Sequence, residues 1–149
     1  PKSHRGITAE LARRTGFAVL AIDYRLMPEH TRMDGVADCR AAWAWLLENG
    51  PQGPGRAARA FVAGDSAGGN LTLALIAWLR DAARDGQRQD SPLRQADGAI
   101  ALSPLTDASF ASPSITGNVA RDPMLGPMAA LFTRIPRPLL LWGTWLQNR

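Results

Sequence analysis

The chain is short of several things, and each shortage excludes something. It holds a single cysteine, Cys39, among 149 residues, so no internal disulfide can form. That fits a reducing compartment, and a cytoplasmic location is the expectation. No apolar run approaches the ~20 residues of a membrane-spanning helix, and the opening PKSHRGITAE lacks the apolar core of a signal peptide. Basic blocks are missing too. The 17 basic and 13 acidic residues leave a net charge of +4, but the arginines, Arg13, Arg59, Arg94 and Arg137 among them, are scattered along the chain, so a solvated surface is expected and a nucleic-acid partner is not. The glycines at 64, 68 and 69 fit neither the dinucleotide fingerprint nor a P-loop, so no nucleotide is expected to bind. There are no internal repeats.

What remains is ordinary for a globular protein: 46% hydrophobic and 20% charged residues, a length suited to one domain with a sizeable core. Ile7 to Thr15 carries apolar residues at helical spacing and should stop at Gly16. Phe17 to Tyr24 (FAVLAIDY) is almost unbroken apolar sequence, which predicts a strand buried on both faces. After a loop containing Pro28, Gly35 to Asn49 predicts a second helix whose stripe is Val36, Cys39, Trp43 and Leu46. Cys39 is expected to be a buried core thiol, and Trp43 and Trp45 to be packing residues. Gly50 to Arg59 is a surface connection. Beyond a polar stretch, Asp85 to Gln95, two more strands are expected, Gly98 to Leu102 and Pro138 to Trp142. Between them residues 105 to 127 lack periodicity and Pro127 to Phe132 is briefly helical. This alternation predicts an α/β fold, a mostly parallel sheet with crossover helices.

The most informative stretch is RAFVAGDSAGGNLTLAL, Arg59 to Leu75. A short apolar strand, Ala60 to Ala63, runs through a tight turn into a Leu- and Ala-rich helix, Asn70 to Arg84, with Ser66 at the apex of G-x-S-x-G. A serine displayed this way projects its hydroxyl above the sheet edge where open α/β sheets bind ligands. So tight a turn leaves no room for side chains two positions before and after Ser66, which accounts for Gly64 and Gly68. The helix that follows aims its free N–H groups at an oxyanion formed nearby.

DYRLMPEH (23–30), DCRAAWAWLLENG (38–50), VAGDSAGGNL (62–71), LSPLTD (102–107) and RDPML (121–125) occur in one order and spacing. Together they resemble the hormone-sensitive-lipase-like branch of the α/β-hydrolases, the carboxylesterases with a G-D-S-A-G-G elbow, over about residues 7 to 132. The resemblance implies a partial α/β-hydrolase fold, a small-molecule ester as substrate and no cofactor or metal. It makes Ser66 the nucleophile, the Ala67 N–H an oxyanion donor, and Asp65, Gly64 and Gly68 parts of the elbow.

Two departures stand beside it. The family's His-Gly-Gly oxyanion loop has no counterpart before Asp23. In a chain order of Ser, acid, His, no histidine follows Ser66, because the two in the chain are His4 and His30. With Pro1 in place of Met, the expectation is an incomplete α/β-hydrolase domain spanning 1–149, a fragment or truncated product whose acid and base lie elsewhere and which is prone to aggregate. The alternatives are a non-catalytic remnant binding a small ligand or a protein, and a hydrolase using His4 or His30 as an unusual base. His30, Asp107 and Asp122 are expected to be structural turn residues. The oligomeric state is left open.

Overall fold

The computed structural model of the chain describes residues 2–84, 94–107, 112–118, 120–121, 134–136, 138–139 and 142. It divides into two compact units, Pro1–Pro104 and Leu105–Arg149.

In the first unit a 3₁₀ turn, Lys2–His4, leads into helix α1, Arg5–Thr15. Gly16 ends it as expected. It adopts φ 71° and donates its N–H to the Ala12 carbonyl at 2.9 Å. None of α1 is buried, and Ile7 and Leu11 stay exposed.

Helix α2, Arg32–Glu48, begins three residues before Gly35 because Thr31 caps it. The Asp34 N–H donates to Thr31 Oγ1 at 3.2 Å, and the Thr31 N–H donates to the Asp34 carboxylate at 2.8 Å. This reciprocal box satisfies two otherwise orphaned donors. The buried stripe is Gly35, Val36, Cys39, Trp43 and Leu47, with Leu46 only packed at its margin. Trp45 departs from expectation: it is 54% exposed, on the outer face of the helix. The connection that follows contains a small antiparallel ladder of β1, Asn49–Gly50, and β2, Gly53–Pro54.

Strand β3, Phe61–Asp65, helix α3, Ala67–Arg84, and strand β4, Gly98–Leu102, form the parallel unit that the alternation predicts. Register runs from Phe61 opposite Gly98 to Asp65 opposite Leu102. The crossover helix lays Leu71, Leu75 and Leu79 inward, where Leu75 and Leu79 meet Trp43, Leu47 and Ala60 while Leu71 meets Val36 and Cys39. Ahead of β3, the Ala60 N–H donates to Asp97 Oδ2 at 2.7 Å and its carbonyl accepts the Asp97 N–H at 2.8 Å. The indole N–H of Trp43 donates to the Arg94 carbonyl at 3.0 Å, tying α2 to the approach to β4.

Phe17 to Tyr24 is not a strand. Among the described residues β3 pairs only with β4, and 17–21 are exposed rather than buried. Its apolar side chains carry no instruction for a ladder; a strand also needs a neighbouring backbone, and none is paired to it here. The segment keeps the two-residue rhythm all the same, since Ile22 and Tyr24 pack on the second core cluster.

In the second unit, helix α4, Pro113–Asn118, lies in sequence expected to be irregular. Of the expected last strand, Pro138, Leu139 and Trp142 carry helical backbone. The Leu139 N–H closes a turn onto the Pro136 carbonyl at 2.9 Å, a local bond that replaces the strand pairing anticipated there. The expected helix at 127–132 falls outside the described residues.

Three outcomes follow for stability. Leu79, 1% exposed at the centre of the main cluster, should lose about 2–5 kcal/mol on Leu79→Ala, and Thr31→Ala about 1 kcal/mol, read as shifts in urea midpoint. The Thr31 bonds hold the Asp34 carboxyl below its usual range, as the Arg25 guanidinium does for Asp38. Carboxyls depressed in the folded state stabilise it above their unfolded values. The midpoint should therefore fall as pH drops below about 4.

Candidate active site

Ser66 stands between β3 and α3 at φ 54°; the other non-glycine residue with positive φ among those described is Ser103, φ 41°, just past β4. A left-handed conformation costs a non-glycine residue ~1–2 kcal/mol, so the surroundings must hold it. Two backbone bonds do so. The Ser66 N–H donates to the Leu102 carbonyl at 2.9 Å, and the Ser66 carbonyl accepts the Asn70 N–H at 3.1 Å, opening the ladder of α3. Its hydroxyl has no hydrogen-bond partner among the described residues. Helix α3 begins at Ala67, three residues earlier than its Leu-rich pattern indicates.

The glycines divide differently from expectation. A Cβ on Gly64 would overlap the Gly68 carbonyl and lie 2.8 Å from Thr72 Oγ1, so the strand can pass the helix this closely only without a side chain. Gly68, expected to be equally confined, has nothing within 4 Å of such a carbon. It faces open space because the helix has already turned away. The second confined position is Gly69, where a Cβ would sit 3.0 Å from Pro104 Cα and 3.2 Å from the Leu102 carbonyl. The doublet Gly68-Gly69 signals it weakly, since the atoms it must clear lie more than thirty residues away.

Asp65, exposed at the end of β3, accepts from His4 Nε2 at 2.8 Å. The carboxylate can only accept, so Nε2 carries the proton, and in the neutral ring Nδ1 accepts from Ser3 Oγ, 2.9 Å away. Both ring nitrogens of His4 are thus engaged away from Ser66. His30 is an exposed turn residue whose N–H donates to the Leu26 carbonyl at 3.0 Å. Asp107 belongs to the second unit, and Asp122 lies outside the described residues. Among the described residues no cluster of His, Cys, Asp and Glu could hold a metal ion.

Arg32, at the start of α2, donates from Nη2 to Asn70 Oδ1 at 2.7 Å and fixes the first turn of α3 from the side. Behind the bend lies an apolar cavity of about 160 Å³, bounded by Leu20, Ile22 and Tyr24 on one side and Val62, Ala63 and Leu71 on the other. Burial, then the nearby Cys39 and Asp65, pushes the Tyr24 phenol up. Burial likewise raises the Cys39 thiol, keeping it protonated and inert as a core residue should be.

A parallel β-α-β unit with a serine at positive φ on its crest is the architecture of the α/β hydrolases, and the chain belongs to that family. Residues 1–135 match the α/β hydrolase fold, in its hormone-sensitive-lipase-like branch. An acetyl-hydrolase of Streptomyces hygroscopicus is 39% identical over 125 residues, 84% of this chain and 38% of that protein. The carboxylesterase/phospholipase LipF of Mycobacterium tuberculosis is 32% identical over 124 residues, 83% of this chain and 30% of its own length. The carboxylesterase NlhH of the same species is 44% identical over 63 residues, 42% of this chain and 20% of that one. The chain thus spans little more than a third of the first of these relatives, and less of the others. No solved structure shows significant similarity to it. No described helix is long and apolar enough to cross a membrane.

Alanine substitutions should separate the three glycines. Gly64→Ala should unfold the first unit or cost several kcal/mol, and Gly69→Ala should cost less. Gly68→Ala should be neutral or stabilising by up to about 1 kcal/mol, since alanine is the better helix former and meets nothing there. Thermal midpoints of the three variants measure the order.

Proposed function

We propose that the chain is the elbow-bearing part of a serine ester hydrolase. Ser66 Oγ attacks the carbonyl carbon of a small carboxylic ester, forming a tetrahedral intermediate. The N–H of Ala67, free at the first turn of α3, donates to its oxyanion. The alcohol departs with a proton, leaving an acyl group on Ser66 that water then removes. Asp65, Gly64 and Gly69 shape the bend, whereas Gly68 only continues it. The observation that carries this reading is the positive φ of Ser66 between a parallel strand and a helix, a strained placement that pure packing does not require.

The acetyl-hydrolase and the two carboxylesterases match over only 38%, 30% and 20% of their own lengths. We place the acid and base partners of Ser66, together with further oxyanion donors, in protein outside these 149 residues. Within the chain, His4 is engaged by Asp65 and Ser3, and His30 makes none of the described bonds of Ser66. The 149 residues alone should therefore be slow.

A fluorophosphonate probe tests this. Labelling should map to Ser66, vanish in Ser66→Ala, and proceed about 10⁴-fold more slowly than with an intact triad. Folded chain that never labels, or that labels at another residue, would replace this reading with a non-catalytic remnant whose apolar cavity binds small ligands.

A further inference from the structure

Helix α1 buries none of its side chains. The contact at its N-terminal end is polar. His4, the residue preceding α1, reaches across 61 positions of sequence to Asp65, the residue preceding Ser66, with Nε2 and Oδ1 2.8 Å apart. The other ring nitrogen meets Ser3 Oγ at 2.9 Å, so the imidazole is held from both sides, and Thr8 Oγ1 donates back to the His4 backbone carbonyl at 3.2 Å. Further back along the same strand, Phe17 meets Phe61 edge-on at 5.3 Å, and the Arg59 guanidinium lies over the Phe17 ring.

The crest is held from two other directions already described. Gly64 faces α3, and β4 takes the Ser66 N–H through the Leu102 carbonyl. Asp65 alternates with Gly64 and so projects from the opposite face of the strand, where His4 receives it. A backbone outlier persists only where its surroundings over-determine it, and His4 supplies the third direction.

We propose that His4 is a positioning residue for Ser66, gripping the Asp65 carboxylate and through it the peptide that enters the bend. The proposal rests on the reading of Ser66 as nucleophile for its kinetic consequence, but not for its structural one. The grip is compatible with either state of the ring. Neutral imidazole donates from Nε2 and accepts at Nδ1, whereas imidazolium donates at both and adds charge to the Asp65 contact. The titratable group in contact with the ring is Asp65, whose charge also reaches the Tyr24 phenol; Arg5 is the adjacent cation in the chain.

The test uses the full 149-residue chain, isotopically labelled, as wild type, His4→Ala and His4→Gln. In the wild type the Ser66 and Ala67 amide resonances should titrate with the same midpoint as the His4 ring. In His4→Gln, whose carboxamide can still donate to Asp65 and accept from Ser3, those resonances should stay near their neutral-form positions and lose the pH dependence. His4→Ala should displace them and slow fluorophosphonate labelling of Ser66 about tenfold, with His4→Gln restoring most of the rate. Should His4→Ala fail to fold, the wild-type and His4→Gln titrations decide alone. Ser66 and Ala67 amides indifferent to His4 titration would overturn the proposal. A wild type whose amides titrate but whose serine never labels would retain the grip and sink the nucleophile reading. Labelling at an equal rate in wild type and His4→Ala, with unmoved amides, would do the reverse.

Discussion

The first unit depends on a steric constraint: nothing larger than hydrogen fits between the Gly64 Cα and the Gly68 carbonyl. Because the strand and the helix approach so closely, α3 can start one residue after the crest and return directly over the sheet. Its leucines at 71, 75 and 79 then reach the two clusters built on α2. The same closeness gives β4 its place, since Gly69 lets Pro104 and the Leu102 carbonyl come up against the first turn of the helix. A side chain at 64 would therefore disturb more than the turn. It would lift the helix that carries the core.

Electrostatics plays a smaller, local part. Arg25 grips Asp38 through both carboxylate oxygens and reaches the Asp34 carbonyl, clamping the loop before α2 onto its first turn. Arg25 is exposed and Asp34 and Asp38 are only half-buried, and pairs so open to solvent contribute little net stability. Their value is orientation: they set where α2 begins, and with it the angle at which Arg32 meets Asn70.

Elements whose signals are local were legible in the sequence. The stop at Gly16, the α2 stripe through Val36, Cys39 and Trp43, the strand before Ser66, the Leu-rich α3 and the strand at 98–102 each follow from a cap, a period or a turn within a few residues. What failed depended on partners far along the chain. Phe17 to Tyr24 has the composition of a buried strand, but composition specifies what side chains avoid, not whether a neighbouring backbone is there to bond. Trp45 was expected inside because tryptophan is large and apolar, though its angular position on α2, two residues from Trp43, points it outward. Gly69 and the pairing of His4 with Asp65 were invisible for the same reason: neither Pro104 nor residue 65 leaves any local trace at the position it meets. The Thr31–Asp34 box was local and could have been found, since threonine followed three residues later by an acidic side chain marks a helix start.

The bond from Ser66 to Leu102 is also the end rung of the ladder that starts beside Ala60 and Asp97. Counting along β3 therefore determines which residue arrives at the crest, and on which side of the sheet it emerges. Loss of one residue anywhere between 60 and 65 would advance the strand by half a pleat repeat. Position 66 would then face the opposite surface, and its neighbour would be carried up in its stead. The strand works as a ruler, and its length in whole residues decides which side chain is delivered to the bend.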